Sequence, residues 1–177
     1  MSASKIIRPA IEYLDSYIEA LGEYHAEDRY MYQDGETIRA NAEEFIEIAN
    51  TETGNPYQPL QDWADHVPET VLWFVKDTMY IGSIDIRHRL NWHLERWGGH
   101  ISFRIRPSER RKGYGKKILK KAIPVMNYIG IEKALLTVNP ENQAAIATIE
   151  ACGGVLEDTT QDSDQFPSRL RYWLDCT

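Results

Sequence analysis

Hydrophobic positions along the chain follow two periods, and the switch between them maps its organisation. From Ala10 to Gly22 the apolar residues Ile11, Leu14, Ile18 and Leu21 form a helical stripe that ends at a glycine. Glu36–Ala49 repeats the pattern with Ile38, Ala42, Phe45, Ile46 and Ala49 on one side. Between them, Tyr24–Gly35 is polar and aromatic and reads as a loop. A short β-like segment from Lys5 to Arg8 stops at Pro9. Thr51–Pro68, with Gly54, Pro56, Pro59 and Pro68, reads as loop with at most a turn of helix near Trp63.

The period then becomes that of strands. Thr70–Val75 is a continuous apolar run, Lys76-Asp77 a turn, and Met79–Arg87 the second strand of a hairpin. His88–Trp97 has no clean period and is compatible with a short helix, and Gly98-Gly99 must turn the chain. His100–Arg106 alternates polar and apolar side chains, the mark of a half-buried strand, and Pro107 stops it. Gly113–Gly130 is helical, with Ile118, Leu119, Ala122, Val125 and Met126 apolar and Pro124 expected to kink it. Glu132–Val138 is a buried strand. A helix over Gln143–Cys152 follows, closed by Gly153-Gly154, and Val155–Glu157 and Arg169–Leu174 complete the strands. The order predicts one α/β domain over residues 1–177, antiparallel in its first half, with a β-α-β unit at its centre.

Charge narrows the function classes. The 177 residues carry a net charge of −7, which disfavours a nucleic-acid partner and mildly favours cationic small molecules. No apolar run approaches a membrane span, and Met1–Pro9 lacks the apolar core of a signal peptide, so no membrane partner and a cytoplasmic location are expected. Cys152 and Cys176 form no CxxC pair, and the five histidines have no metal-ligand spacing, so no metal is expected.

Against that acidic background, Arg110-Arg111-Lys112-Gly113-Tyr114-Gly115-Lys116-Lys117 places five cations at one strand-to-helix junction. A helix start directs free peptide N–H groups and a positive dipole end outward, which is the geometry of an anion site. Gly113 and Gly115 permit positive φ or close approach of the backbone to the anion. Neither a Walker loop nor the Rossmann GxGxxG is present.

Ile105-Arg106-Pro107-Ser108-Glu109-Arg110-Arg111-Lys112-Gly113-Tyr114-Gly115 resembles the central pattern V-x-P-x-x-[RQ]-x-x-G-x-[GA] of the GNAT superfamily of N-acetyltransferases. Leu135–Val138, Asn142 with Ala145, and Gly153-Gly154 are similar to the family's downstream elements, and Arg87–Asn91 with Gly98–Ile101 looks like a bacterial subgroup of predicted acetyltransferases. The resemblance implies a mixed, mostly antiparallel twisted sheet with a central splayed parallel strand pair, flanked by helices. It implies acetyl-CoA as co-substrate. Arg110, Arg111, Lys112, Gly113, Tyr114, Gly115 and Lys116 would hold the pyrophosphate, Ile105 and Val138 would border the pantetheine arm, and Asn142 would bond the coenzyme. A backbone N–H within Phe103-Arg104-Ile105 would polarise the thioester carbonyl.

The same resemblance places His100 near the family's base, where a near-neutral imidazole suits proton removal. The other reading is a strand-start histidine bonded to backbone. No tyrosine lies in Gln143–Cys152, where family members often carry the general acid, so the acid is unassigned among Tyr114, Tyr128, Tyr172 and water. Glu109 is expected to face solvent, and Cys152, at a helix C-terminus, to pack rather than react. The acceptor is expected beside Glu27, Asp28, Tyr30, His88 and Asn91. The leading function is direct acetyl transfer to a primary amine of a small or amino-acid-like molecule. The alternatives are an acyl-CoA-binding or regulatory module with little catalysis, and a protein or peptide N-acetyltransferase. The edge of Arg169–Leu174 offers a homodimer surface.

Overall fold

The computed structural model describes residues 3–52, 66–161, 163–164 and 166–177. Two antiparallel sheets form it. The first has the order β1-β2-β3-β4, with β1 Lys5–Ile7, β2 Glu69–Lys76, β3 Met79–Arg87 and β4 Ile101–Ile105. The second has the order β5-β7-β6, with β5 Lys133–Val138, β6 Val155–Thr159 and β7 Leu170–Asp175. The helices are α1 Leu14–His25, α2 Gly35–Ala40, α3 Ala42–Ala49, α4 Tyr114–Ile129 and α5 Gln143–Ala151.

The apolar run of β2 reflects burial on both faces. Val71, Trp73 and Val75 pack with Tyr13, Tyr17, Leu21 and Tyr24 on and before α1, and with Ile38 and Phe45 of α2 and α3. Leu72 and Phe74 point the other way, into a core with Ile84, Ile86 and Ile101, with Ile118, Leu119 and Met126 of α4, and with Leu136 and Tyr172 of the second sheet. Alternation along one strand therefore feeds two hydrophobic layers, each removing large aromatic or aliphatic area from water.

β4, α4 and β5 form the central β-α-β connection, yet β4 and β5 share no ladder. The backbone bridge that joins the sheets lies just before β4, between Gly99 and Leu136. A Cβ on Gly99 would lie 2.4 Å from the Leu135 carbonyl oxygen, so only glycine allows that approach.

Several boundaries differ from the sequence reading. α1 passes through Gly22 to His25, and the chain turns afterwards, where Asp28 and Tyr30 take left-handed φ of 56° and 57°. The single helix expected over Glu36–Ala49 is split at Asn41, whose side-chain amide donates to the Thr37 carbonyl and competes with helix continuation. The hairpin turn falls on Asp77-Thr78, α4 continues through Pro124, and β6 extends to Thr159. His88–Trp97 forms turns, with the Asn91 side chain accepting the Leu94 N–H at 2.8 Å. The helical turn expected near Trp63 lies outside the described residues.

Candidate active site

A cleft of about 940 Å³ runs from the start of α4, between β4 and β5, to the His88–Gly99 segment. At one end, Arg111 and Gly113 take positive φ of 62° and 77° as the chain turns into α4. No side chain caps this helix, and the Lys117 N–H is the first bonded to the turn, at the Gly113 carbonyl. The peptide N–H groups of Tyr114, Gly115 and Lys116 are thus left for a ligand at the positive end of a sixteen-residue helix. Gly113 meets nothing within 4 Å, so its glycine answers to φ rather than to space.

α1 and the turn that follows it hold this junction in place. The Glu27 carboxylate accepts both terminal nitrogens of Arg110, at 2.7 and 2.9 Å, and Arg110 Nε donates to the Ile105 carbonyl at 3.2 Å. One turn earlier, Glu23 accepts from the buried Arg106 guanidinium at 2.5 and 3.0 Å and from the Ser108 N–H at 2.9 Å. These charge-assisted bonds hold both Glu23 and Glu27 below the usual carboxylate range, although burial pushes Glu23 the other way.

The gap between β4 and β5 is pinned at its vertex by His100. Its N–H donates to the Leu135 carbonyl at 2.7 Å, and its Nδ1 accepts the Leu135 N–H at 2.9 Å. Beyond this point the strands diverge. Successive residues of a strand direct their peptide groups to opposite edges. Arg106 N–H bonds Ile81 on the β3 side, while the Ile105 carbonyl bonds Arg110 on the other. Ile105, and Phe103 two residues before it, therefore aim their peptide groups into the gap.

The far end of the cleft is charged and aromatic. Glu69, at the start of β2, pairs with Arg87 at 3.4 Å across the hairpin. Burial, then the nearby Asp85 carboxylate, push its carboxyl up to about 7 against the pull of Arg87 and Arg104. Arg104 pairs with Asp85 at 3.8 Å and lies 4.6 Å from the ring centre of Tyr30, whose positive φ aims it there. Trp97, His93 and Phe166 pack together as a wall, and Arg169 stacks on Trp97 at 5.1 Å.

Of the sequence-predicted residues, Phe103, Arg104, Ile105, Arg110, Arg111, Gly113, Tyr114, Gly115, Lys116, Val138, Asn142 and Asn91 line the cleft. Asn142 also caps α5, accepting the Ala145 N–H at 3.1 Å. Lys112 turns aside to Glu109, 2.9 Å away, and Glu109 is largely covered rather than solvent-facing. His100 is a correction. It is buried, does not line the cleft, and its Nδ1 lone pair is already occupied. Burial and then the Arg87 charge push its imidazole down to about 4. Glu27 belongs to Arg110, His88 bonds the Thr70 hydroxyl at 2.7 Å, and neither lines the cleft; nor do Asp28 and Tyr30. α5 contributes Thr148 and Ile149 to the cleft, and of Tyr114, Tyr128 and Tyr172 only Tyr114 lies in it. Glu69 and Arg169 escaped the sequence reading. The one signal for Glu69 is a carboxylate at the lip of an otherwise apolar strand. Among the described residues, no group of His, Cys, Asp or Glu could hold a metal ion, and no helix is long and apolar enough to cross a membrane.

Comparison with known proteins points one way. The Acetyltransferase (GNAT) domain family matches residues 6–155. The uncharacterized N-acetyltransferase YfmK of Bacillus subtilis (strain 168) is 33% identical over 67 residues, which is 38% of this chain and 45% of that protein. The match thus spans less than half the length of this relative. In fold, the chain is similar to the microcin C7 self-immunity acetyltransferase MccE in complex with acetyl-CoA and AMP, with TM-score 0.67 and 12% identity over 99% of this chain and 93% of that one. It is also similar to a spermidine N-acetyltransferase SpeG chimera from Vibrio cholerae and hSSAT, with TM-score 0.61 and 16% identity over 99% and 96% of the two chains.

Proposed function

The chain belongs to the GNAT acetyltransferase family, and we propose that it transfers the acetyl group of acetyl-CoA directly to a primary amine of a small molecule, with Glu69 taking the amine proton. The observation that carries this reading is the sharing of one cleft by the uncapped start of α4 and the covered Glu69 carboxylate. Besides Glu109, which is bound to Lys112, Glu69 is the only carboxylate among the described lining residues.

When bound, the coenzyme supplies an activated acetyl thioester. The residues present fit it. Three free N–H groups with the Arg111 and Lys116 side chains suit a pyrophosphate. The gap-facing peptide groups of Phe103 and the Ile105 N–H suit an amide-bearing arm and offer an N–H to the thioester oxygen. Glu69 titrates near neutrality, which matches a base that must accept a proton at working pH and release it afterwards. Asn91, His93, Leu94, Trp97 and Arg169 line the far end and offer polar and aromatic contacts to a small acceptor.

A thiol-release assay over a panel of primary amines tests this. Turnover is expected, and Glu69→Gln should lower kcat by about 10²–10⁴-fold with acetyl-CoA binding retained. Acetyl-CoA binding with no thiol release for any amine would reduce the chain to an acyl-CoA-binding module.

A further inference from the structure

We propose that the acceptor amine also carries an anionic group, a carboxylate in the first instance, and that Arg169 receives it. This deepens the acetyltransferase reading and rests on it. The chain as a whole is acidic, yet the far half of the cleft is not. Among the described residues, Arg87, Arg104 and Arg169 line it, against Glu69 in the lining and Asp85 behind it. Arg87 is taken by Glu69 and by the Gly98 and Gly99 carbonyls, and Arg104 by Asp85. Among the described residues, one positive charge remains. Arg169 has no carboxylate partner among the described residues. Its guanidinium is bonded to the Ser168 carbonyl and stacked on Trp97. Burial alone shifts Arg169 downward, as expected of a cation whose charge is not compensated. Arg29 lies beside the Glu27 carboxylate that holds Arg110, and is therefore not left for the acceptor.

Arg169 stands on the Trp97 wall, away from the turn that would take the coenzyme phosphates. A planar guanidinium held over an aromatic ring can present its remaining N–H groups as a fork, which matches a carboxylate in two bonds. The same positive excess repels a polyamine. Amine near Glu69 and carboxylate at Arg169 describe an amino-acid-like acceptor whose two ends are read by opposite charges.

The test is acetyl-CoA turnover with matched pairs, each amino acid beside its decarboxylated amine, together with phosphoethanolamine and spermidine. The carboxylate member of at least one pair should show kcat/KM about tenfold or more above its partner. Arg169→Gln should raise KM for that amine about tenfold, with Arg169→Lys intermediate and KM for acetyl-CoA unchanged. Preference for phosphoethanolamine over every amino acid would overturn the carboxylate assignment and leave a phosphate in its place. Equal or better turnover of spermidine or the decarboxylated amines, or no carboxylate amine acetylated while acetyl-CoA binds, overturns the proposal. Failure of acetyl-CoA itself to bind removes the reading on which it rests.

Discussion

His100 and Leu135 exchange two hydrogen bonds, N–H to carbonyl at 2.7 Å and peptide N–H to imidazole Nδ1 at 2.9 Å, and this pair is where the two sheets meet. Because β4 and β5 have no ladder, the pair sets where the gap begins and therefore where the cleft can open. His100→Leu leaves the Leu135 N–H buried and unbonded and should cost about 1–3 kcal/mol of stability. A residue with no proton-transfer role should retain most of its kcat once folded, whereas loss of a base costs about 10²-fold or more. Thermal melts and steady-state kinetics on one preparation separate the two.

His100 also predicts how stability responds to acid. Its folded value, pushed down to about 4, lies below the ordinary 6.5, so from 6.5 to about 4 the unfolded chain binds a proton that the folded one does not. Stability from this group is complete above 6.5 and is lost as pH falls towards 4. Denaturation curves across that window should show a weaker pH dependence in His100→Leu.

Glu69 has the opposite sign. Its folded value of about 7 lies above the ordinary 4.5, so the folded state is favoured below 4.5 and penalised as pH rises through 7. Glu69→Gln should gain stability relative to the parent chain over that range while losing activity. In kcat/KM for the amine, the acidic limb of the parent should inflect near 7, and the variant should lose that inflection.

If the turn before α4 takes the coenzyme as proposed, the Glu27–Arg110 pair supports that binding. Glu27→Gln removes the bidentate partner of Arg110 and should raise KM for acetyl-CoA a few-fold while leaving KM for the amine unchanged. A change confined to the amine KM would return Glu27 to the acceptor site.

Gly113→Ala isolates the backbone conformation, because a Cβ there meets nothing within 4 Å and only the φ of 77° resists it. The strain is about 1–2 kcal/mol. Acetyl-CoA affinity should fall about tenfold as the first N–H groups of α4 reorient, and calorimetry on the two proteins reads this directly.

What the sequence reveals is what is local. The turn from β4 into α4 is legible because its requirements, two glycines and a strand stop, lie within eleven residues, from Ile105 to Gly115. The β2–β3 hairpin is legible from period alone. Long-range partners decide the rest. Glu27 reads as a free carboxylate until the fold brings up Arg110, 83 residues away. An imidazole at the start of a strand suits a base or a staple equally, and only the presence of the Leu135 N–H across the gap distinguishes them. Glu69 and Arg169 lie far apart in the sequence, one opening β2 and the other just before β7, and they line one cleft only after the two sheets join at His100. The break at Asn41 is a local competition between a side-chain amide and the helix, which the apolar stripe running through it conceals.

The most direct measurement is isothermal titration of the purified chain with acetyl-CoA, free CoA and ATP. Micromolar binding of acetyl-CoA and CoA without binding of ATP, weakened by Gly113→Ala, is the predicted result. Absence of CoA binding would contradict it and would make the Arg110–Lys116 turn no more than a basic helix start.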